Sequence, residues 1–105
     1  MINFPIIDTH LHLCDYGRIR YPWIEEITSL KRPFLLADYN QACGAVAVEK
    51  MVSVQYEYDP AQYKDEIAFV SQAAREDPRL RGMVAWAPWE KGRTMRAELE
   101  ELRRI

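Results

Sequence analysis

His10 and His12 are the only histidines among 105 residues, and they stand one residue apart in Ile7-Asp8-Thr9-His10-Leu11-His12-Leu13, at the end of a run that reads as a strand. Side chains at i and i+2 of a strand point to the same face. Neutral imidazole is the commonest metal-ligating side chain and suits zinc and several other transition metals, so the pair makes half of a metal site. A catalytic metal normally takes three protein ligands and keeps one position open. The pair therefore needs partners from elsewhere. Cys14, two residues past His12, has a suitable donor atom, but beyond a strand end alternation no longer says where a side chain points. Cys14 and Cys43 are the only cysteines, and without C-x-x-C spacing they read as reduced thiols.

The elements that must hold these groups alternate in type. A first strand is expected near 5–13, rich in β-branched and apolar residues. An irregular segment with Gly17, Pro22, Trp23 and Pro33 follows and reads as a long loop, a length that usually signals function in a compact domain. A helix is expected over 36–43, closed by Gly44. The second strand, near 51–56, contains Met51-Val52-Ser53-Val54-Gln55. Asp59 as N-cap, Pro60 in the first helical position and Gln62 three beyond the cap announce a helix near 60–76. Its apolar stripe is Tyr63, Ile67, Val70 and Ala74, and Asp77-Pro78 stops it. A third strand near 80–87 contains Gly82, which marks close packing. After a connection over 88–92, Thr94 can cap a helix near 94–104 carrying Met95, Leu99 and Leu102.

Strand, helix, strand, helix, strand, helix is the signature of an α/β fold with parallel strands and right-handed helical crossovers. Two architectures fit. A small doubly wound sheet would bring a glycine-rich phosphate turn or a Walker loop after the first strand, and neither is present. The alternative is three β/α units of a TIM-like (β/α)8 barrel, which needs about 250 residues when whole. Catalytic groups of such barrels sit at the C-terminal ends of the strands, where His10, His12 and Gln55 fall. Parallel sheets are normally covered on both faces. An isolated set of three strands would leave an apolar face open to self-association.

Composition narrows the partners. The sequence is 49% hydrophobic and 29% charged, with a formal net charge of −2, which suits a globular domain and argues against a nucleic-acid or membrane-surface binder. Arg79, Arg81, Arg93, Arg96, Arg103 and Arg104 are interleaved with Glu90, Glu98, Glu100 and Glu101, as on a solvated helix face with ion pairs. No apolar run approaches the roughly 20 residues of a membrane helix, and no charged-then-apolar leader is seen, so a cytoplasmic setting is expected.

Taken together, Ile7-Asp8-Thr9-His10-Leu11-His12, Tyr21-Pro22-Trp23, Val52-Ser53-Val54-Gln55 and Leu80-Arg81-Gly82-Met83-Val84-Ala85-Trp86 resemble, in order, the amidohydrolase superfamily. The nearest subgroup is the lactonase-like amidohydrolase 2 hydrolases, which include sugar lactonases. The resemblance implies that residues 1–105 are the N-terminal portion of an amidohydrolase-type barrel, with His10 and His12 as ligands of a divalent metal, zinc by expectation, although some relatives hydrolyse lactones without one. It also implies a further histidine from a middle strand and an aspartate from the last strand that takes a proton from the attacking water. Neither later strand is in this sequence. The expected reaction is attack of water on the carbonyl of a small lactone or amide. Gln55 is expected to face the substrate. Tyr21 and Trp23 would wall the pocket or anchor their loop. Glu66 matches a position that tends to be polar in the lactonase-like group, yet with Lys64 and Asp65 it would equally form the solvent face of its helix. The competing expectation is a non-catalytic truncated remnant that survives by self-association.

Overall fold

In the computed structural model, which describes residues 2–104, three parallel strands lie in the order β1 (Ile6–Leu11), β2 (Val48–Val54), β3 (Leu80–Val84). The chain crosses between them through α1 (Leu36–Cys43) and α2 (Tyr63–Glu76), and α3 (Met95–Leu102) follows β3. The sheet is open, with α1 and α2 packed on one face. Between them and the strands lie Leu11, Leu13, Val48, Met51, Val70, Ala73 and Leu80, flanked by Leu36, Tyr39, Cys43 and Phe69. Burying side chains such as the fully enclosed Met51 contributes roughly 1.5–3 kcal/mol each.

Local chemistry explains where the elements start and stop. The Asp38 carboxylate accepts from the Leu35 amide at 2.9 Å at the start of α1, and Gly44, at φ 58°, ends it in a backbone region that glycine tolerates. Asp59 caps as expected, accepting from the Ala61 amide at 3.0 Å, but residues 60–62 form a 3-10 turn and the α-helix proper begins at Tyr63. Gln62 does not complete a capping box. Its side-chain amide spans the loop before it, accepting from the Arg20 amide at 2.8 Å and donating to the Arg18 carbonyl at 3.1 Å. The buried face of α2 is Glu66, Ile67, Val70 and Ala73, rotated slightly from the expected stripe. Thr94 caps nothing. Its hydroxyl donates back to the Lys91 carbonyl at 2.9 Å, within a 3-10 segment broken by Gly92 at φ 62°.

The strands differ from the sequence pattern at their ends. β2 begins at Val48, three residues earlier than expected, because Val48 pairs with Ile6 even though the exposed Glu49 and Lys50 interrupt its apolar run. β1 stops at Leu11 and β3 at Val84, short of 13 and 87. Gly82 is not forced by crowding, since a Cβ there would meet Val52 at an ordinary 3.6 Å.

Pairing of β1 with β2 slips first between Ile6 and Ile7, where β2 holds the extra residue, and two later slips share a pattern. Asp8 aligns with Met51 and Leu11 with Ser53, so β1 spends three residues where β2 spends two. Met51 aligns with Leu80 and Ser53 with Met83, so β3 does the same. Each extra residue is a bulge that keeps both flanking side chains on the helix side. Leu11 and Leu13 are buried there, while His10 before them and His12 between them are exposed.

The long loop after β1 has a core of its own. Cys14 and Phe34 exchange backbone hydrogen bonds at 2.9 and 3.0 Å, closing the loop at its base. Inside it Cys14, Ile19, Tyr21, Ile24 and Tyr58 are buried together, with Tyr56, Tyr63 and Trp86 against them. A backbone bond from the Asp59 amide to the Arg20 carbonyl, 2.9 Å, ties the loop to the segment that follows β2.

Candidate active site

At the end of β1 the rings of His10 and His12 stand edge to face, centroids 4.9 Å apart. The Nδ1 atom of His12 is 3.0 Å from the Val54 carbonyl of β2. A carbonyl only accepts, so Nδ1 carries the proton and Nε2 keeps its lone pair. Metal-ligating histidines are commonly held this way, with the second ring nitrogen bonded to a backbone carbonyl. Asp8 is not part of that donor set. Its carboxylate accepts from the His10 amide at 3.0 Å and from the Tyr39 hydroxyl of α1 at 2.7 Å. Burial, followed by the Asp8 carboxylate, raises the Tyr39 hydroxyl above its ordinary value, so Tyr39 stays a donor.

Gln55 and Trp23, named from the sequence, line one open cleft of about 830 Å³ together with Glu57, Tyr58 and Trp86. The Gln55 amide still donates to the Val84 carbonyl at 2.9 Å, extending the sheet by a rung before the chain turns away. Its side-chain Oε1 accepts from the Glu57 amide at 3.0 Å. Trp23 is both wall and anchor, since its indole N–H donates to the Glu57 carbonyl at 2.7 Å. Glu57 has φ 47°, the only left-handed non-glycine residue described, a conformation costing roughly 1–2 kcal/mol.

Tyr56 joins the histidines to the cleft. Its ring centroid lies 5.1 Å from that of His12, 5.3 Å from Trp23 and 5.6 Å from Tyr21. Sequence reasoning gave Tyr56, Glu57 and Trp86 no role at the site; the density of aromatic and acidic residues just after Gln55 signalled the first two, and Trp86 closes the last of the motifs that carry the resemblance. Tyr21 proves to be an anchor, 1% exposed, its hydroxyl accepting from the Asp15 amide at 3.0 Å. Cys14 is buried in the loop core, and desolvation raises its thiol pKa, which disfavours the thiolate that a metal would need.

Glu66 departs from the solvent-face expectation. It is 2% exposed, with Oε2 accepting from the Tyr56 amide at 3.2 Å and Oε1 buried without a partner. Burial pushes its pKa up to about 7 against the pull of that one amide. Lys64 takes the solvent side, paired with Glu101 at 2.9 Å.

Among the described residues no three His, Cys, Asp or Glu side chains gather closely enough to hold a metal ion. The donor set is a pair of imidazoles, chemically suited to a divalent cation and short of a full complement of ligands.

No family model and no curated protein matches the sequence. Among solved structures, 84% of the chain superimposes on a crystal structure of an amidohydrolase from Burkholderia multivorans with bound zinc, at a TM-score of 0.62 and 29% identity. The fold is amidohydrolase-like. The chain spans 31% of the length of that amidohydrolase, and its three parallel strands with helical crossovers correspond to part of a TIM-like barrel. In the amidohydrolase-like frame, His10, His12 and Gln55 all lie at the C-terminal ends of strands, where such barrels place their chemistry. No described helix is long and apolar enough to cross a membrane.

Proposed function

We propose that this chain is the N-terminal portion of a hydrolase of the lactonase-like amidohydrolase 2 type, acting in the cytoplasm on a lactone or amide carbonyl. The observation that carries the reading is the pairing of His10 and His12 at 4.9 Å, with the His12 Nε2 left open by the Val54 carbonyl. The zinc in the structurally similar amidohydrolase supports zinc as the cation these two imidazoles hold, with the remaining ligands coming from further β/α units. When bound, a divalent cation supplies Lewis acidity toward the carbonyl and brings the pKa of water toward neutrality. The chain's own residues bind and orient the substrate. Trp23 and Trp86 offer apolar walls, Gln55 offers its side-chain amide, and Tyr56 shields His12 from one side. The free thiols of Cys14 and Cys43 suit a reducing compartment.

Metal binding tests the ligand role. Zinc titration of the chain is expected to show weak binding, two ligands being too few to hold the metal through dialysis, and the His10→Ala/His12→Ala variant to show none; equal binding by both sinks the reading. The coding DNA downstream is expected to specify further β/α units with a histidine and a late aspartate.

A specific observation favours a second reading, a non-catalytic self-associating remnant. Ile7 and Val84, on the uncovered sheet face, are each 55% exposed, and Phe4 beside the first strand is 61% exposed. Apolar groups so placed favour association with a second copy.

A further inference from the structure

We propose that Trp23 and Glu57 form a clasp that fixes the Gln55 side chain as a pure hydrogen-bond donor toward the cleft, so that Gln55 reads an acceptor oxygen of the ligand. The ligand class rests on the carbonyl substrate proposed above. The clasp itself is read from this chain alone.

Three observations carry it. First, a backbone N–H can only donate, so the contact between the Glu57 amide and Gln55 at 3.0 Å assigns Oε1 to the inward position. The accepting half of the amide is thereby occupied, and the Nε2 hydrogens remain for the cleft that Gln55 lines. Second, the Tyr56–Glu57 peptide that aims this N–H at Gln55 leaves Glu57 in the left-handed region at φ 47°, and a flip of that peptide to relieve the strain would turn the N–H away. A residue with a side chain holds such a conformation only where its surroundings over-determine it. Third, the surroundings that do so are identifiable. The Trp23 indole donates to the Glu57 carbonyl at 2.7 Å, with a longer branch of 3.4 Å to the Tyr56 carbonyl. Glu57 is thus gripped at both its carbonyl and its amide.

Trp23 is a positioning residue in this scheme. Its ring faces the cleft while its N–H is spent on the backbone and offers a ligand nothing. The acceptor oxygens on that side come from the Glu57 and Asp59 carboxylates. Asp59 is already engaged, capping Ala61 and pairing with Arg20 at 3.6 Å, whereas the Glu57 carboxylate has no partner among the described residues. A ligand meeting both Gln55 and Glu57 therefore presents an acceptor oxygen to the first and a hydroxyl or N–H donor to the second.

The test uses NMR on the 105-residue chain without ligand, so it can fail while the hydrolase reading stands. Trp23→Phe keeps a ring against Tyr56 and removes the indole donor. The residue 57 amide is expected to exchange about tenfold faster, the scale of one lost hydrogen bond, and the Gln55 side-chain amide resonances to move toward those of a free glutamine. In a Glu57→Gly background, where the left-handed conformation is unstrained, the same tryptophan change is expected to move neither signal appreciably. That rescue separates a clasp from general packing, which would give equal effects in both backgrounds and overturn the proposal. Unchanged Gln55 signals in Trp23→Phe overturn it as well. If Trp23→Phe does not fold, Glu57→Gly alone decides: a raised thermal midpoint with intact Gln55 signals supports the clasp, and a lowered midpoint removes its basis.

Discussion

The Nδ1 atom of His12 lies 3.0 Å from the carbonyl of Val54, so the tautomer of a β1 residue is set by the backbone of β2. The sheet therefore decides which nitrogen faces a ligand. Long-range 1H–15N correlation spectra are expected to show His12 protonated at Nδ1 when neutral. A dominant Nε2–H form would contradict this geometry.

Glu66 gives the chain a pH dependence of definite sign. Its folded-state pKa is raised from 4.5 to about 7 by burial, so between these values the folded state keeps a proton that the unfolded state releases. The stability it contributes is complete below about pH 4.5, falls as pH rises through 7, and levels off above. The loss is on the order of 3 kcal/mol. Denaturant unfolding at a series of pH values should show this slope in the wild-type chain and a flatter one in Glu66→Gln. Equal slopes would mean that Glu66 ionises normally.

Tyr39→Phe removes a hydrogen bond to a carboxylate and little else. Bonds to charged groups contribute about 1.5–3 kcal/mol, so a loss of that order in unfolding free energy is expected. The imidazole resonances of His10 should also shift, because Asp8, which holds the His10 amide, loses its second partner. A change under about 0.5 kcal/mol, below the range of even a neutral hydrogen bond, would show that the tie is not made in solution.

Ile7 and Val84 test the uncovered face. Replacing both with lysine is expected to weaken self-association by roughly tenfold or more, since fully burying one such side chain contributes about 1.5–3 kcal/mol. Sedimentation velocity over a concentration series reads the change. An unaltered distribution would place any association elsewhere on the molecule.

Much of the frame was legible in the residues because it rests on local chemistry. Asp59-Pro60, Asp77-Pro78 and Gly44 mark helix boundaries whatever surrounds them, and α1 covers the residues expected of it. Val48 was hidden because its partnership with Ile6 spans the sheet while its neighbours Glu49 and Lys50 look like loop. At the site, the spacing of His10 and His12 was enough to pair them, and Gln55 and Trp23 do meet at one cleft. The burial of Glu66 was not legible, because its place depends on how the loop between β1 and α1 folds back over α2. The left-handed Glu57 was equally hidden. Nothing in Gln55-Tyr56-Glu57-Tyr58 marks a turn, and the conformation exists only once Trp23 has been delivered from another part of the chain.

The bulge between Asp8 and Leu11 sets the tolerance of the first strand to change. Unbroken alternation would put Asp8 on the same side as both histidines, whereas the extra residue leaves the acid with Tyr39 and the His12 imidazole with Val54 and Tyr56. What this stretch must conserve is therefore its count of residues more than the chemistry of Thr9. A substitution at that position is a local matter, but a deletion would carry the carboxylate and the two rings past one another and dismantle the site while leaving every one of its side chains in the sequence.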